Sequence, residues 1–579
     1  MPRRAIFWTL AALAASAAAW QAWNLRWTCD DAYISFRYAQ HLVEGHGLVF
    51  NLDPAEPPVE GYSNFTWTIW LAIGQWLGCT GAALETWSNV WGTLCHAATV
   101  WLLAFLAWRG SAGRAAAPIA ACGYAAVHHA ASLAPAGLET ALYVMLVTTL
   151  LRFAIDLRCA RQAAIAGLVA ALTAMTRPDG LLPAAILGAF VAFDARARRA
   201  PALFTAYAVP FVLAFGPFLI WRRSYYGYWL PNTFYAKSDG GPLLGLGVDY
   251  VVEFAKCYWA LAPALLALAW LAVSRTERRR AAAIAAFVLP YLAFVVWVGG
   301  DFMFARFLLP ILPALLLALD GAFVRARTAW VQPLVAAAVA AGLVLRSEPP
   351  WLGDYNLPVS DNRRFTMAEM RGVPGVSAAE AFRRAGEALR VLFDGLPVRV
   401  GIGGGQANLA YRSRVPVAVE CAAGLTDAYL AHLPGKQRHK VAHNLDPSHY
   451  TGYLERRGVH FMFEGNYDKH VGEDGTTWVD DAPWRQVWFP SDAVDWSPIA
   501  PIPVPARLAV YDRDLMRELR ERAPTMVAVD FEKFLDDYVA SLPTKTKDQV
   551  RADYGRFRRV WFDHTPDPVR QKAFEDWLR

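Results

Sequence analysis

Long apolar runs fill residues 1–346 and are separated by short polar or charged loops; beyond residue 347 they disappear and the chain reads like a soluble protein. A helix crossing the hydrocarbon core needs about 20 mostly apolar residues. The runs predict eleven spans: 5–23, 88–108, 115–131, 138–156, 162–175, 180–193, 201–221, 257–274, 281–298, 303–319 and 329–345. Met1–Trp20, with Arg3 and Arg4 before its apolar stretch, reads as the first span, uncleaved, in preference to a signal peptide. The expectation is a polytopic α-helical membrane module over 1–346 and a C-terminal soluble domain over 347–579.

One further apolar segment, Phe65–Gly78, sets the topology. Read as a helix lying along the outer surface, it leaves Arg109/Arg114, Arg158/Arg161, Arg196/Arg198/Arg199, Arg275/Arg278/Arg279/Arg280 and Arg325/Arg327 on the side of Arg3/Arg4. That is the distribution expected of cytoplasmic loops. The N-terminus is then cytoplasmic and the C-terminal domain periplasmic or extracellular. The same topology sends six polar clusters to the outer face: Asp30-Asp31, Glu60–Asn64, Gly137–Glu139, Thr176–Gly180, Leu230–Lys237 and Gly299–Asp301.

Composition changes this picture little. The chain is 55% hydrophobic and 18% charged, against about 25% charged in soluble domains. Its net charge of +6 follows from loop arginines and implies no nucleic-acid partner. The seven cysteines lack any CxxC spacing, so neither a disulfide framework nor a zinc site is indicated.

Ionisable groups beside the bilayer default to a functional reading. Asp30 and Asp31 follow the first span directly. Adjacent residues on a helix point about 100° apart, so one of the two faces a substrate while the other caps the helix over 32–43 or binds a cation. A carboxylate there serves as a general base, and a divalent cation (Mg, Mn or Ca) bridging the pair to a phosphate is a second use. Outer-face cations suited to phosphate are Arg37, Arg177, Lys237 and Arg306, the last with Asp301 as a possible ion-pair partner. Arg222 and Arg223 read as headgroup contacts in an aromatic belt. Glu60, Tyr62, Asn64, Glu139, Asn232, Tyr235 and Asp301 complete the candidate donor- or acceptor-binding set. Asp179 reads as a turn residue and His128-His129 as interfacial, since adjacent histidines make a poor metal motif.

In the soluble part, Pro397–Ile402 reads as a strand running through Gly403-Gly404-Gly405 into a helix at Gln406–Tyr411, and Arg507–Tyr511 as a second strand, so an α/β domain is expected. Gln406 breaks the glycine pattern of dinucleotide folds. Trp478, Trp484, Trp488 and Trp496 are candidate glycan contacts or core residues. His439-Lys440 is placed toward the membrane surface, Pro498–Pro505 reads as a linker, and 506–579 reads as a charged helical tail.

Asp30–Arg37, Gly45-His46-Gly47, Glu60–Asn64, Thr176–Gly180, Pro231–Lys237, Gly299–Phe307 and Gly424–Asp427 together resemble ordered motifs of GT-C glycosyltransferases, above all the terminal arabinofuranosyltransferases, over roughly residues 5–450. The resemblance implies a GT-C fold whose first outer loop carries two juxtamembrane helices and a catalytic carboxylate, here Asp30 first, with Asp31 kept open. It implies a sugar donor on polyprenyl phosphate, first of all arabinofuranose or a similar pentose, and a glycan or glycoprotein acceptor outside the membrane. A transporter or flippase of a lipid-linked glycan is the alternative. Transporters place their polar groups near the midplane in paired repeats; here the charged motifs sit at one face and no repeat is visible.

Overall fold

A computed structural model describes residues 2–238, 242–325, 329–349, most of 352–464, isolated strands between 469 and 529, and 531–562 and 565–579. Residues 2–344 form a bundle of apolar helices, as expected of a multi-pass membrane protein. Among the described residues five helices are long and apolar enough to cross a membrane: Arg3–Asn24, Ala82–Gly110, Pro178–Ala197, Ala202–Tyr226 and Arg278–Val298. A sixth span is possible if Leu244–Cys257 and Trp259–Ala272, bent by 85°, act as one. Thr140–Ile155, Ala160–Thr176, Leu309–Val324 and Gln332–Val344 are apolar but shorter.

Set against the eleven expected spans, two segments depart most. The run over 115–131 is two short helices, Ile119–Ala125 and His128–Leu133, broken at Ala126-Val127. The run over 303–319 becomes helical only from Leu309, because Gly299 and Gly300, both at positive φ, end the preceding helix. Asp301–Phe307 then forms a turn tied to Ser360 through Phe304 N–H to Ser360 O (3.0 Å) and Ser360 N–H to Phe302 O (2.9 Å).

Arginines of the described loops gather at one end of the bundle, while Arg327 and the side chain of Arg325 lie outside the described residues. Arg109 and Arg158 both pair with Asp156, and Arg198 and Arg279 both pair with Asp194. Phe7 packs on Trp108 there, which brings the N-terminal helix's start to the same end. At the opposite end lie two short helices, Ala32–Val43 and Phe65–Trp76, in the positions expected of juxtamembrane helices.

Beyond 349 the chain builds an α/β unit on that opposite end. Its four-stranded sheet has the order Val417–Glu420, Arg399–Gly403, Phe461–Glu464, Gln486–Trp488; the first three strands are parallel and the last antiparallel. The strand expected at 397–402 is therefore present, followed by a helix at Ala407–Ser413 and a parallel return strand. Phe393, Val398, Val400, Ile402 and Phe461 belong to the same apolar core as the membrane helices. The tail instead packs on itself: Phe531, Leu535, Phe557, Trp561 and Phe574 form a separate cluster. Among the described residues beyond 347, apolar side chains thus fall into the core shared with the bundle, a separate cluster with Val417, Val419, Leu430 and Leu454, and the tail cluster. Trp478 and Trp488 stand on strands; Trp484, Trp496, His439-Lys440, Arg507–Tyr511 and most of Pro498–Pro505 lie outside the described residues.

Candidate active site

The site begins with the helix Ala32–Val43, which places its residues by the helical period. Asp31, Ile34 and Ser35 point into a cavity of about 110 Å³ between the first loop and the bundle. Asp30, Tyr33 and Arg37 point the other way, into the C-terminal unit. The structure therefore separates the two aspartates. Asp30 accepts the N–H groups of Ala407 (2.9 Å) and Asn408 (3.0 Å), so its carboxyl caps the start of the Ala407–Ser413 helix from another part of the chain. That helix start is where a dinucleotide fold would hold a phosphate. Burial pushes the Asp30 carboxyl up to about 8, against the lowering pull of the two amides. The side chain of Asp31 makes no cap bond to its own helix, and it has no hydrogen bond or ion pair with any described residue.

Around Asp31 the cavity is lined by Ser35, Tyr62, Asn64, Glu139, Arg177, Thr233, Lys237, Arg306 and Phe307, with Gly61 and Leu425. One hydrogen-bonded chain fixes much of the wall. Ser35 Oγ and Thr68 Oγ1 each donate to Asn64 Oδ1 (3.0 Å), and Asn64 Nδ2 donates to Glu139 Oε2 (2.9 Å). Arg177 donates to Glu139 Oε1 (3.2 Å) and to Asp179 Oδ1 (2.9 Å), and Tyr291 donates to Asp179 Oδ2 (2.7 Å). Arg306 forms a two-pronged pair with Asp301, one contact at 3.0 Å, and lies beside the Phe307 ring. Lys237 has no hydrogen-bond or ion-pair partner among the described residues. Burial lowers its ammonium, and Arg306 nearby lowers it further. Burial raises the Asp31 carboxyl above its ordinary value, while Arg306 and Lys237 oppose the rise.

Several expected site residues serve elsewhere. Arg37, only 1% exposed, donates to the carbonyls of Phe50 (2.6 Å), Val415 (2.6 Å), Pro416 (3.3 Å) and Ala410, so it clamps the first loop to the C-terminal unit and does not bind phosphate. Asn232 donates through Nδ2 to the carbonyls of Gly424 (3.0 Å), Leu425 (2.9 Å) and Asp427 (3.1 Å). Glu60 pairs with Arg222 at 3.1 Å; Arg222 is thus an internal ion-pair partner, not a headgroup contact. Tyr235 stacks on His432, with centroids 4.5 Å apart, and is not part of the cavity wall. His129 is buried, its ring against the Tyr258 hydroxyl (2.6 Å), rather than interfacial. Tyr62, Asn64, Glu139, Arg177, Lys237 and Arg306 do line the cavity. Ser35, Thr233, Phe307 and Leu425 were not anticipated; for Ser35 the signal is its position four residues after Asp31, on one helix face.

No group of three or more His, Cys, Asp or Glu suited to a metal occurs among the described residues. A cation bridging Asp30 and Asp31 would have to share the Asp30 oxygens with the N–H groups of Ala407 and Asn408.

The wall nearest Asp31 depends on close backbone approach. A Cβ at Gly61 would meet Thr426 Cγ2 at 2.7 Å and the Leu425 carbonyl oxygen at 3.0 Å. Glu420 shapes the Leu425 side of this contact by accepting the N–H groups of Ala422 (2.7 Å), Ala423 (2.9 Å) and Leu425 (2.6 Å). The Gly424–Asp427 motif is therefore a folded loop set against the first outer loop.

No protein-family model matches the chain. Two curated relatives, both terminal β-(1→2)-arabinofuranosyltransferases, do. The one from Mycobacterium tuberculosis is 27% identical over 338 residues, covering 50% of this chain and 51% of the relative. The one from Corynebacterium glutamicum is 28% identical over 360 residues, covering 53% and 50%. The chain thus spans about half the length of the curated relatives it matches. Among solved structures, ArnT from Cupriavidus metallidurans bound to undecaprenyl phosphate aligns with a TM-score of 0.51 at 13% identity, over 81% of this chain and 97% of that one. The chain shares the GT-C fold of ArnT and resembles, in sequence, the terminal arabinofuranosyltransferases.

Proposed function

We propose that this chain transfers a sugar, arabinofuranose or a similar pentose first, from a polyprenyl-phosphate donor to a glycan or glycoconjugate outside the bacterial inner membrane, with Asp31 as general base. The observation that carries the reading is the open Asp31 carboxylate in a cavity that also holds the open Lys237 ammonium and Arg306. Glycosyl transfer needs this combination. The acceptor hydroxyl oxygen attacks the anomeric carbon and gives its proton to Asp31. The bond from that carbon to the phosphate oxygen breaks, and the lipid phosphate leaves with the electron pair. Lys237 and Arg306 stabilise the charge that builds on the departing phosphate. Glu139, Asn64 and Ser35 present acceptors and donors to sugar hydroxyls, with Arg177 holding Glu139 in place. The undecaprenyl phosphate bound to ArnT and the arabinofuranosyl transfer for which the two relatives are named support this class of donor and sugar.

The test is a reconstituted assay with polyprenyl-phosphoryl arabinose and an arabinan acceptor. Donor consumption that requires acceptor, and that Asp31→Asn abolishes while Asp30→Asn retains, supports the reading. Movement of lipid-linked glycan across liposomes without acceptor sinks it in favour of a transporter.

A further inference from the structure

We infer that a second cavity, at the arginine-rich end of the bundle, binds the phosphate-bearing headgroup of an anionic lipid. The cavity holds about 280 Å³ and is lined by Arg109, Arg152, Arg158 and Arg280. Their acidic partners are fewer than the guanidinium groups. Asp156 is shared between Arg109 (3.2 Å) and Arg158 (2.9 Å), and Arg280 pairs with Glu277 (3.0 Å). Asp320 also lines the cavity, but its two oxygens accept the N–H groups of Ile119 (3.0 Å) and Ala120 (2.9 Å). Arg152 has no hydrogen bond or ion pair with any described residue; its guanidinium lies only against the ring of adjoining Phe153, at 4.4 Å.

Four guanidinium groups against the two paired carboxylates of Asp156 and Glu277 leave excess positive charge around one mouth, which a further anion offsets. A guanidinium meets phosphate oxygens bidentately, and basic pockets between membrane helices suit anionic headgroups. The rest of the wall decides between a soluble anion and an amphiphile. Leu106, Ile155, Leu317 and Val324 supply apolar surface beside the arginines, which suits the glycerol and acyl portions of a lipid. This site is not part of the transfer cavity. The helix Ala82–Gly110 begins near the first loop, where Tyr33 donates to Glu85 (2.8 Å), and ends in this cavity at Arg109; at 1.5 Å per residue the two ends lie about 36 Å apart.

The experiment is native mass spectrometry of the full chain in neutral detergent, titrated separately with phosphatidylglycerol, phosphatidylcholine and inorganic phosphate. The expected result is retention of phosphatidylglycerol about tenfold above phosphatidylcholine, reduced to the phosphatidylcholine level in Arg152→Gln/Arg280→Gln and largely kept in Arg152→Lys. Equal retention of the two lipids by the wild type overturns the inference, and this arm stands even if the double variant fails to fold. Inorganic phosphate that binds as tightly as phosphatidylglycerol and displaces it also overturns the lipid assignment, in favour of a free-anion site. Retention unchanged in a folded double variant overturns the location.

Discussion

The seam between the first outer loop and the C-terminal unit, and the cavity beside it, are built from the same short motifs, yet they treat charge in opposite ways. In the seam every charge is consumed. Arg37 serves four carbonyls, Asp30 two amides, Asn232 three carbonyls, and Asp53 accepts from both Arg399 (2.6 Å) and Arg457 (2.9 Å). In the cavity Asp31 and Lys237 are left open although neighbours are at hand. Buried polar groups are ordinarily satisfied, so groups left open beside a cavity are the ones free to meet a substrate. The difference teaches that a charged motif at a membrane face has two possible destinations, and that only the absence of a partner marks the chemical one.

The largest test of this contrast is Asp31→Asn. It is expected to reduce kcat/KM by about 10²–10⁴-fold, the usual contribution of a general base, with the melting temperature unchanged. Asp31→Asn that unfolds the protein, or leaves transfer intact, would place Asp31 in the seam category after all. The converse is Arg37→Ala. Four carbonyls lose a buried charged donor, and at about 1–3 kcal/mol for each acceptor left unsatisfied a loss of several kcal/mol in stability is expected, read as failure to recover folded protein by size-exclusion chromatography. Lys237→Gln comes next. Loss of one charge-assisted contact to phosphate should raise the donor KM about tenfold, measured in steady-state kinetics, with melting unaffected.

Acidity sharpens the contrast. A general base at Asp31 must be ionised, and burial raises its carboxyl above the ordinary 3.8, so on the proposed reading kcat/KM should be full above that raised value and fall as pH drops through it. Removing the cation in Lys237→Gln takes away a lowering influence and should move the inflection to higher pH. The smallest effect is expected for Asp30→Asn. The asparagine oxygen still accepts from one of the two amides, so a loss of about 1 kcal/mol, one hydrogen bond, is expected, and transfer should follow the folded fraction. The wild-type carboxyl, held up to about 8 against an ordinary 3.8, binds its proton more tightly folded than unfolded. Stability should therefore decline as pH rises between those values, and the asparagine variant should lose that slope in a thermal-melt series.

Much of this was legible in the chain. Hydropathy located the helices and loop arginines predicted which helix ends gather together, because both follow from the cost of placing charge in hydrocarbon. The length of Phe65–Gly78 pointed to a short helix in place of a span, and the helix there, Phe65–Trp76, has 12 residues. What could not be read was the division of labour between Asp30 and Asp31. Adjacent carboxylates are equivalent until the partner of each face is known, and the partner of Asp30 lies 377 residues away. The periodicity of 31, 34 and 35 against 30, 33 and 37 held a clue, but it assigns a face only once the cavity's side is known. Arg37 was misjudged for the same reason: the carbonyls it serves at 410, 415 and 416 come from a distant part of the chain. The broken run at 115–131 shows the other limit, since hydropathy reports apolarity and not the register at which a helix stops.

The clamp made by Arg37 and Asp30 has a consequence for biosynthesis. Residues 30–64 leave the ribosome early, while the backbone that holds them, at 407–427, is made hundreds of residues later. Nascent chains fold from the N-terminus forward, so the membrane helices assemble first around an outer loop that still lacks its lid. A truncated product carries Asp31 but neither the helix that seats Asp30 nor the Leu425 wall. On the proposed reading, such fragments should transfer no sugar even when fully inserted, and completion of the chain would be the event that completes the site.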